Sequence, residues 1–521
     1  MKAFELEIFN KLLSSVAEEM GVVLRRSSFS PNIRERADFS CAIFDERGEL
    51  VSQASHIPVH LGAMPETMKV LLPLFEWKEG DVVITNDPFH GGTHLPDITL
   101  VKPVFYKKEL LFFLLVRAHH SDVGGKIPGS MGLSETIEEE GVRILPAYLY
   151  REGKLKEEFL KGLIQQMRNP SEREGDLKAM ISSLERGEKR ILELLSRYGK
   201  KILFSAIEEL KNYTERAFLE LLKRMKKGVF IFTDYLDGDG LEEKLIPIKV
   251  KVEITSERVV CDFSDNPQQV RGPVNAPRAV TVSSVYYVFI SLLNTLGEFP
   301  INHGLFRNIE VITKPGTILS AEYPAAVSGG NVETSQRIVD VLLGALHKAL
   351  PNLIPAASCG TMNNISFGNS QIAYYETIGG GMGARPGKDG LSAVHTHMTN
   401  TMNTPIEALE NIYPVRIERY AIRRSSGGEG KYRGGDGIIR EYLFLEPLTV
   451  SLLTERRRTA PYGLRGGFDG KPGKNYLIRN GKREELSDKC TFEVKEGDRV
   501  IIETPGGGGF GKPDFGGGGG N

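Results

Sequence analysis

Cysteine is scarce in this sequence, and Cys41, Cys261, Cys359 and Cys490 lie far apart with no C-x-x-C pair. That spacing argues against a disulfide framework and a thiolate zinc site, and it fits a reducing cytoplasm. An excess of either charge is also missing: 66 Lys and Arg face 67 Asp and Glu, a formal net charge of -1. No global field therefore recommends nucleic acid or an anionic membrane as a partner. The opening residues lack the look of a signal peptide, because Glu5 and Glu7 fall in an amphipathic pattern through Leu12, Leu13, Val16 and Met20 that predicts a surface helix. The uncharged run from Ala279 to Leu296 carries Thr281, Ser283, Ser284, Ser291, Asn294 and Thr295, too many polar groups for a lipid-facing span. It predicts a buried helix. No G-x-S-x-G nucleophile elbow occurs, which disfavours serine-hydrolase chemistry. The stretch Gly506 to Pro513 almost spells a phosphate-binding loop, but Pro513 stands where the magnesium-binding Ser or Thr belongs and no helix follows. A tight turn or flexible tail is expected there.

What is present is an ordinary globular composition, 40% hydrophobic and 26% charged over 521 residues, enough for two or more domains. The pattern predicts a mixed α/β, multidomain fold with mixed sheets and a β-rich C-terminal domain. Strand-like runs at Phe39 to Phe44 and Val82 to Ile84 precede a long periodic helical stretch, Leu177 to Leu222, which closes an N-terminal metal-binding domain over 1–225. Short strands such as Ile248 to Ile254 and Val259 to Phe263 open a central α/β domain over 226–426. From 427 to 521, glycine turns alternate with strands such as Leu448 to Leu453, and a glycine run at 516–520 reads as a flexible tail.

Histidine is unevenly placed. Of ten, six fall between residues 56 and 120: His56, His60, His90, His94, His119 and His120. Even spacing puts roughly one there, so a metal or proton-transfer site is the leading expectation. Asp87, Asp97 and Asp122 lie among them, and imidazole with carboxylate suits manganese, iron or zinc. The apolar runs Ile98 to Phe105 and Leu110 to Val116, joined by Tyr106-Lys107-Lys108-Glu109, predict a hairpin. Folding there brings His94-Leu95-Pro96-Asp97 against His119-His120-Ser121-Asp122, with facing Cβ atoms roughly 5 Å apart. A one-residue uncertainty in register leaves the choice between His119 and His120 open.

Other polar segments are less telling. Asp234, Asp237 and Asp239 begin like a calcium loop, but Leu245 stands where its last Glu is required, so a solvated turn is expected. Pro324 to Arg337 places small residues before Asn331, Glu333 and Gln336, either facing a ligand or capping a helix from about Thr334. His395 to Thr401 is a polar, low-charge run that either lines a substrate pocket or forms an internal hydrogen-bonded loop.

Taken together, Asn86-Asp87-Pro88, Gly91 to Asp97, Arg117 to Gly125, Asn331 to Arg337, His397 to Thr401, Arg433 to Gly437 and Thr504 to Gly508 resemble the hydantoinase B/oxoprolinase family, with its related acetone and acetophenone carboxylase subunits. These motifs cover nearly the whole chain. The resemblance implies a B-type catalytic subunit that hydrolyses a cyclic amide of the 5-oxoproline or N-methylhydantoin kind. A hydantoinase A-type partner, using ATP, would activate that small-molecule substrate within a hetero-oligomer. It further implies His94, Asp97 and His119 as ligands of a divalent ion, with Asp87 as an additional candidate and His120 and Asp122 as catalytic groups. Glu333, His395, His397 and Asn400 are the residues expected to bind substrate. A ketone carboxylase subunit, with the ion stabilising an enolate, is the second reading, and a noncatalytic scaffold is the third.

Overall fold

The computed structural model describes residues 2–54 and 57–513, so His56 and the glycine run at 516–520 lie outside the described residues. Seven strands form the first sheet: β1 (Phe39–Asp45), β2 (Leu50–Gln53), β3 (Val82–Thr85), β4 (Asp97–Tyr106), β5 (Glu109–His119), β6 (Ala147–Arg151) and β7 (Lys154–Leu155). Their order is β2-β1-β5-β4-β3-β6-β7, all neighbours antiparallel. β4 and β5 are the expected hairpin.

Side chains alternate across a strand, and here each face has its own core. Ala42, Phe44, Val101, Phe113 and Leu115 join the larger apolar cluster, which also takes in the helix Arg278–Leu293. Cys41, Ile43, Leu100, Phe112, Leu114 and Val116 face the other way, toward the helices Ala3–Ser27 and Pro170–Tyr198. With both faces covered, β1 and β5 read as nearly continuous apolar runs. Each fully buried side chain of this size contributes about 1.5–3 kcal/mol relative to exposure.

The uncharged stretch is a helix, Arg278–Leu293, packed mostly inside, and no described helix is long and apolar enough to cross a membrane. The long helical stretch of the N-terminal part is two helices, Pro170–Tyr198 and Lys200–Arg224. Gly199 divides them at φ +78, a backbone angle that side chains with a Cβ resist.

A second sheet runs Ile309–Ile312, Val259–Asp262, Ile246–Ile254, Gly228–Leu236, with the first pair parallel and the rest antiparallel. Mixed sheets are therefore present. A third, in the order Ala373–Glu376, Asn364–Gly368, Leu448–Leu453, Lys489–Val494, draws strands from both sides of residue 427. The fourth has five strands, all from Val415 onward. Gly506 to Gly509 is neither a turn nor a loose tail but a buried segment whose N–H groups donate to the distant carbonyls of Lys471, Gly435, Ala357 and Phe468.

Candidate metal centre

Register decides which histidine faces the cluster. In the hairpin Asp97 pairs directly with His119, Thr99 with Arg117 and Val101 with Leu115. Counting by twos from Val101 and Leu115, Asp97 and His119 share a face of the sheet. His120 is one residue out of step and lies on the opposite face. His94 returns to the cluster because the turn His94-Leu95-Pro96-Asp97 is closed by the Asp97 N–H donating to the His94 carbonyl at 3.1 Å.

The three side chains converge. His94 Nε2 lies 3.2 Å from His119 Nδ1 and 3.3 Å from Asp97 Oδ2, while His119 Nδ1 is 3.4 Å from Asp97 Oδ1. Ligand atoms set tetrahedrally at about 2.1 Å around an ion are roughly 3.4 Å apart, so the spacing fits one divalent ion. Three polar atoms here, His94 Nδ1, Asp97 Oδ1 and His119 Nε2, are buried with no hydrogen bond of good geometry. Buried polar groups are rarely left unpaired, and of these three only Asp97 Oδ1 is on the converging side, because the imidazoles meet through His94 Nε2 and His119 Nδ1.

The surrounding residues explain how the ligands are held. Thr93 Oγ1 donates to Asp97 Oδ2 at 2.5 Å, and His60 Nε2 stands 3.4 Å from the same oxygen. Ser40 Oγ accepts from the Ile57 N–H, which frees its hydroxyl hydrogen for His60 Nδ1 at 2.9 Å. With Ser40 donating, His60 Nδ1 accepts and its Nε2–H is the group aimed at Asp97. Tyr375 stacks on His119, with ring centroids 4.7 Å apart and planes 11° from parallel. Its hydroxyl donates to Asn364 Oδ1 at 2.7 Å.

Burial pushes the Asp97 carboxyl up, but its electrostatic attraction to His94 and His60 and its hydrogen bonding with His119 and His60 outweigh that and hold it well below the usual carboxylate range. Burial pushes His119 down, against the pull of Asp38 and Asp97. A charged carboxylate beside a neutral imidazole is the state that binds a cation.

Two residues beside the cluster, Asp38 and His60, fall outside the expected ligand set. Asp38 precedes β1, whose Phe39 pairs with Ala118, and its Oδ2 lies 3.9 Å from His119 Nδ1. Buried Arg36 lies 3.9 Å from Asp38 while donating to the Tyr375 carbonyl at 2.8 Å. Asp38, His60, Asp97, His119, Tyr375 and Met398 all line one small cavity of about 20 Å³. The concentration of histidines points to His60; nothing local points to Asp38, which arrives through strand pairing.

The remaining predicted site residues lie elsewhere. Asp87 caps a short helical turn, accepting from the Phe89 N–H at 3.0 Å and pairing with His90 at 2.8 Å. Asp122 is committed to its own loop, where it accepts from the Gly124 and Gly129 N–H groups and from Arg168 Nη1. His120 is buried against the helix Pro170–Tyr198 near Asp176 and Arg173, and burial pushes it down to about 3. Neither His120 nor Asp122 lines the cavity, so neither touches a group bound there. Glu333 sits one layer behind, accepting from the Asn364 amide at 2.6 Å, while its neighbours Asn331 and Val332 line the cavity. His395 and His397 line a separate, larger chamber, and Asn400 is exposed between two cavity-lining threonines.

A second acidic group, Asp237, Glu455 and Asp488, is already neutralised. Lys489 Nζ lies 2.6 Å from Glu455 and 2.7 Å from Asp488, and Asp237 accepts from the backbone of Arg457, Arg458 and Thr459. Together with Asp239, which accepts from three N–H groups, these aspartates are internal anchors and not a solvated turn.

The profile of the family described as Hydantoinase B/oxoprolinase matches residues 2–513. The chain belongs to the hydantoinase B/oxoprolinase family. Within this family it is 44% identical to an uncharacterized protein of Methanocaldococcus jannaschii, over 98% of this chain and 91% of that one. It is 39% identical to a 5-oxoprolinase of Dictyostelium discoideum over 98% of this chain but 40% of the relative. The chain thus spans about two fifths of the length of that 5-oxoprolinase. Against a putative D-/L-hydantoinase B-type subunit of a Pseudomonas species the identity is 34%, covering 96% of this chain and 88% of the other. The fold matches the crystal structure of an ATP-dependent caprolactamase from Pseudomonas jessenii with a TM-score of 0.90 and 30% identity, over 98% of this chain and 91% of that one. The mixed α/β architecture is that of this hydantoinase B-type family.

Proposed function

We propose that the chain is the B-type, metal-dependent subunit of an enzyme that hydrolyses a small cyclic amide. The observation that carries this reading is the convergence of His94, Asp97 and His119 at ion-binding spacing beside a cavity. Relatives named as a 5-oxoprolinase, a hydantoinase subunit and a caprolactamase share a ring amide as the bond to be opened. A divalent ion bound there supplies Lewis acidity toward a carbonyl or water. Nitrogen and oxygen donors without thiolate suit manganese, zinc or iron.

The chain's own residues do the rest. Thr93 and His60 fix Asp97, Tyr375 fixes His119, and Asp38 is the carboxylate placed to complete the ion's shell. His60 faces the cavity and is the group that can carry a proton there.

An A-type partner that uses ATP completes the enzyme in this reading. Support comes from the Pseudomonas relative, whose name makes it one subunit of a hydantoinase, from the ATP-dependent caprolactamase, and from the 5-oxoprolinase, which carries the matching region within a much longer chain. The test is to combine the chain with a hydantoinase A-type partner and offer 5-oxoproline, hydantoin and caprolactam, following ATP use and ring-opened product together. Turnover of at least one ring, lost in Asp97→Asn, is expected. No turnover of any ring with a competent partner contradicts the proposal.

A further inference from the structure

The cavity at the metal centre is too small for a ring. At about 20 Å³ it accommodates about one water-sized group, so the body of an organic substrate must lie elsewhere. A chamber of about 790 Å³ is available next to it, within the roughly 300–1,000 Å³ of small-molecule sites. One segment of chain borders both spaces: His395, Thr396 and His397 line the chamber, and Met398, Thr399 and Thr401 line the metal cavity.

The chamber's chemistry is specific in three respects. Val288, Leu292, Leu343 and Ile354 give it apolar walls, and no described Asp or Glu lines it. Nε2 of His397 is buried without a hydrogen-bond partner, the His395 ring nitrogens are buried with no bond of good geometry although the ring interacts with the Asn403 side chain, and His397 is held at φ +57, an angle uncommon outside glycine. Burial pushes His395 down to about 4 and lowers His397 as well, so both rings are neutral near pH 7; His397 Nδ1 faces the Tyr287 hydroxyl at 3.4 Å, which leaves its Nε2 for a ligand. Finally, Arg385 and Lys388 stand exposed on its border, and neither forms an ion pair among the described residues.

We propose that this chamber is the recognition site for the substrate's body and that it selects a small organic anion with an apolar skeleton. The walls take the carbon skeleton, His395 and His397 hydrogen-bond its polar atoms, and Arg385 and Lys388 attract its charge. An organic cation meets two like charges and no carboxylate. The assignment rests on the reading that the neighbouring metal centre acts on a small organic molecule, but it concerns binding and does not require turnover.

Titration calorimetry of the full chain with cyclohexanecarboxylate, cyclohexanol and cyclohexylamine tests it. The carboxylate should bind about tenfold more tightly than the alcohol, as expected for two exposed cations, with the amine weakest. Charge reversal in R385E/K388E should erase the preference of carboxylate over alcohol, and Ser291→Trp, which places an indole in the chamber from an exposed wall position, should weaken all three ligands. Equal affinities, no binding, or a preference that persists in R385E/K388E overturns the proposal. So does carboxylate binding that survives Ser291→Trp but is lost in Asp97→Asn, because the metal cavity is then the site. Because binding is read without the partner or ATP, its failure is distinguishable from failure of the hydrolase reading.

Discussion

The two oxygens of Asp97 are held differently. Oδ2 receives Thr93 and faces His60, whereas Oδ1 is buried near His119 without a hydrogen bond of good geometry, the oxygen left for an ion. Asp97→Asn keeps the side-chain size and removes the charge, so ion affinity should fall by at least about 100-fold while the ion-free protein melts within a few degrees of the parent. Calorimetric ion titration and thermal unfolding read the two effects separately; an affinity within a factor of a few of the parent contradicts the assignment. The neighbouring histidines give a sharper contrast. His119→Leu should lose the bound ion and His120→Leu should keep it, as elemental analysis of the purified variants will show. Strand alternation alone left that choice open and only the family resemblance favoured His119; the pairing of Asp97 with His119 fixes the register and puts His119 on the face of the cluster. A third residue gives a pH signature. Burial raises the Glu333 carboxyl from 4.5 to about 8, against the opposing hydrogen bond from Thr361. The folded chain then keeps a proton that the unfolded chain releases, so this contribution is complete below about pH 4.5 and is lost as pH rises toward about 8. Glu333→Gln should flatten the fall in stability across that window, measured by urea midpoints; an unchanged slope argues that Glu333 is ionised in the folded state.

At the scale of elements, the hairpin was legible because two apolar runs flank a polar turn, and alternation then carries Asp97 and His119 to one face. Asp38 and His60 were harder, since each reaches the cluster through contacts with distant chain: β1 beside β5 for one, and a short turn over Ser40 for the other. Glycine punctuation misled most. Gly506 to Gly509 and Gly434-Gly435 look like turns in sequence, yet they pack against one another as buried backbone: a Cβ built on Gly434 would stand 2.0 Å from the Gly507 carbonyl oxygen. Here glycine is required for close approach, whereas at Gly199 it is required for a left-handed φ with open space around it. Gly434→Ala should therefore cost at least about 2–3 kcal/mol, through overpacking that backbone cannot relieve, and Gly199→Ala only about 1–2 kcal/mol, through backbone strain. Denaturant unfolding of the two variants checks the order, and its reversal contradicts this account of the glycine layer.

For the molecule as a whole, composition and periodicity gave the mixed α/β class, and the dispersed motifs gave the family; what they could not convey was how distant segments share a site. The metal cavity takes Asp38 and His60 from the start of the chain, Asp97 and His119 from the hairpin, Tyr375 from the third sheet and Met398 from the loop after it. Because that third sheet also pairs Asn364–Gly368 with Leu448–Leu453, the wall behind Tyr375 depends on the C-terminal part of the chain. A site built from such separated segments needs the whole fold for its ligands to converge. The most direct test is anomalous diffraction from crystals of the metal-loaded chain, collected on both sides of the absorption edge of the bound element. The account predicts one ion peak at roughly 2.0–2.3 Å from nitrogen atoms of His94 and His119 and an oxygen of Asp97. A peak only at Asp237, Glu455 and Asp488, or no peak after loading, would contradict it.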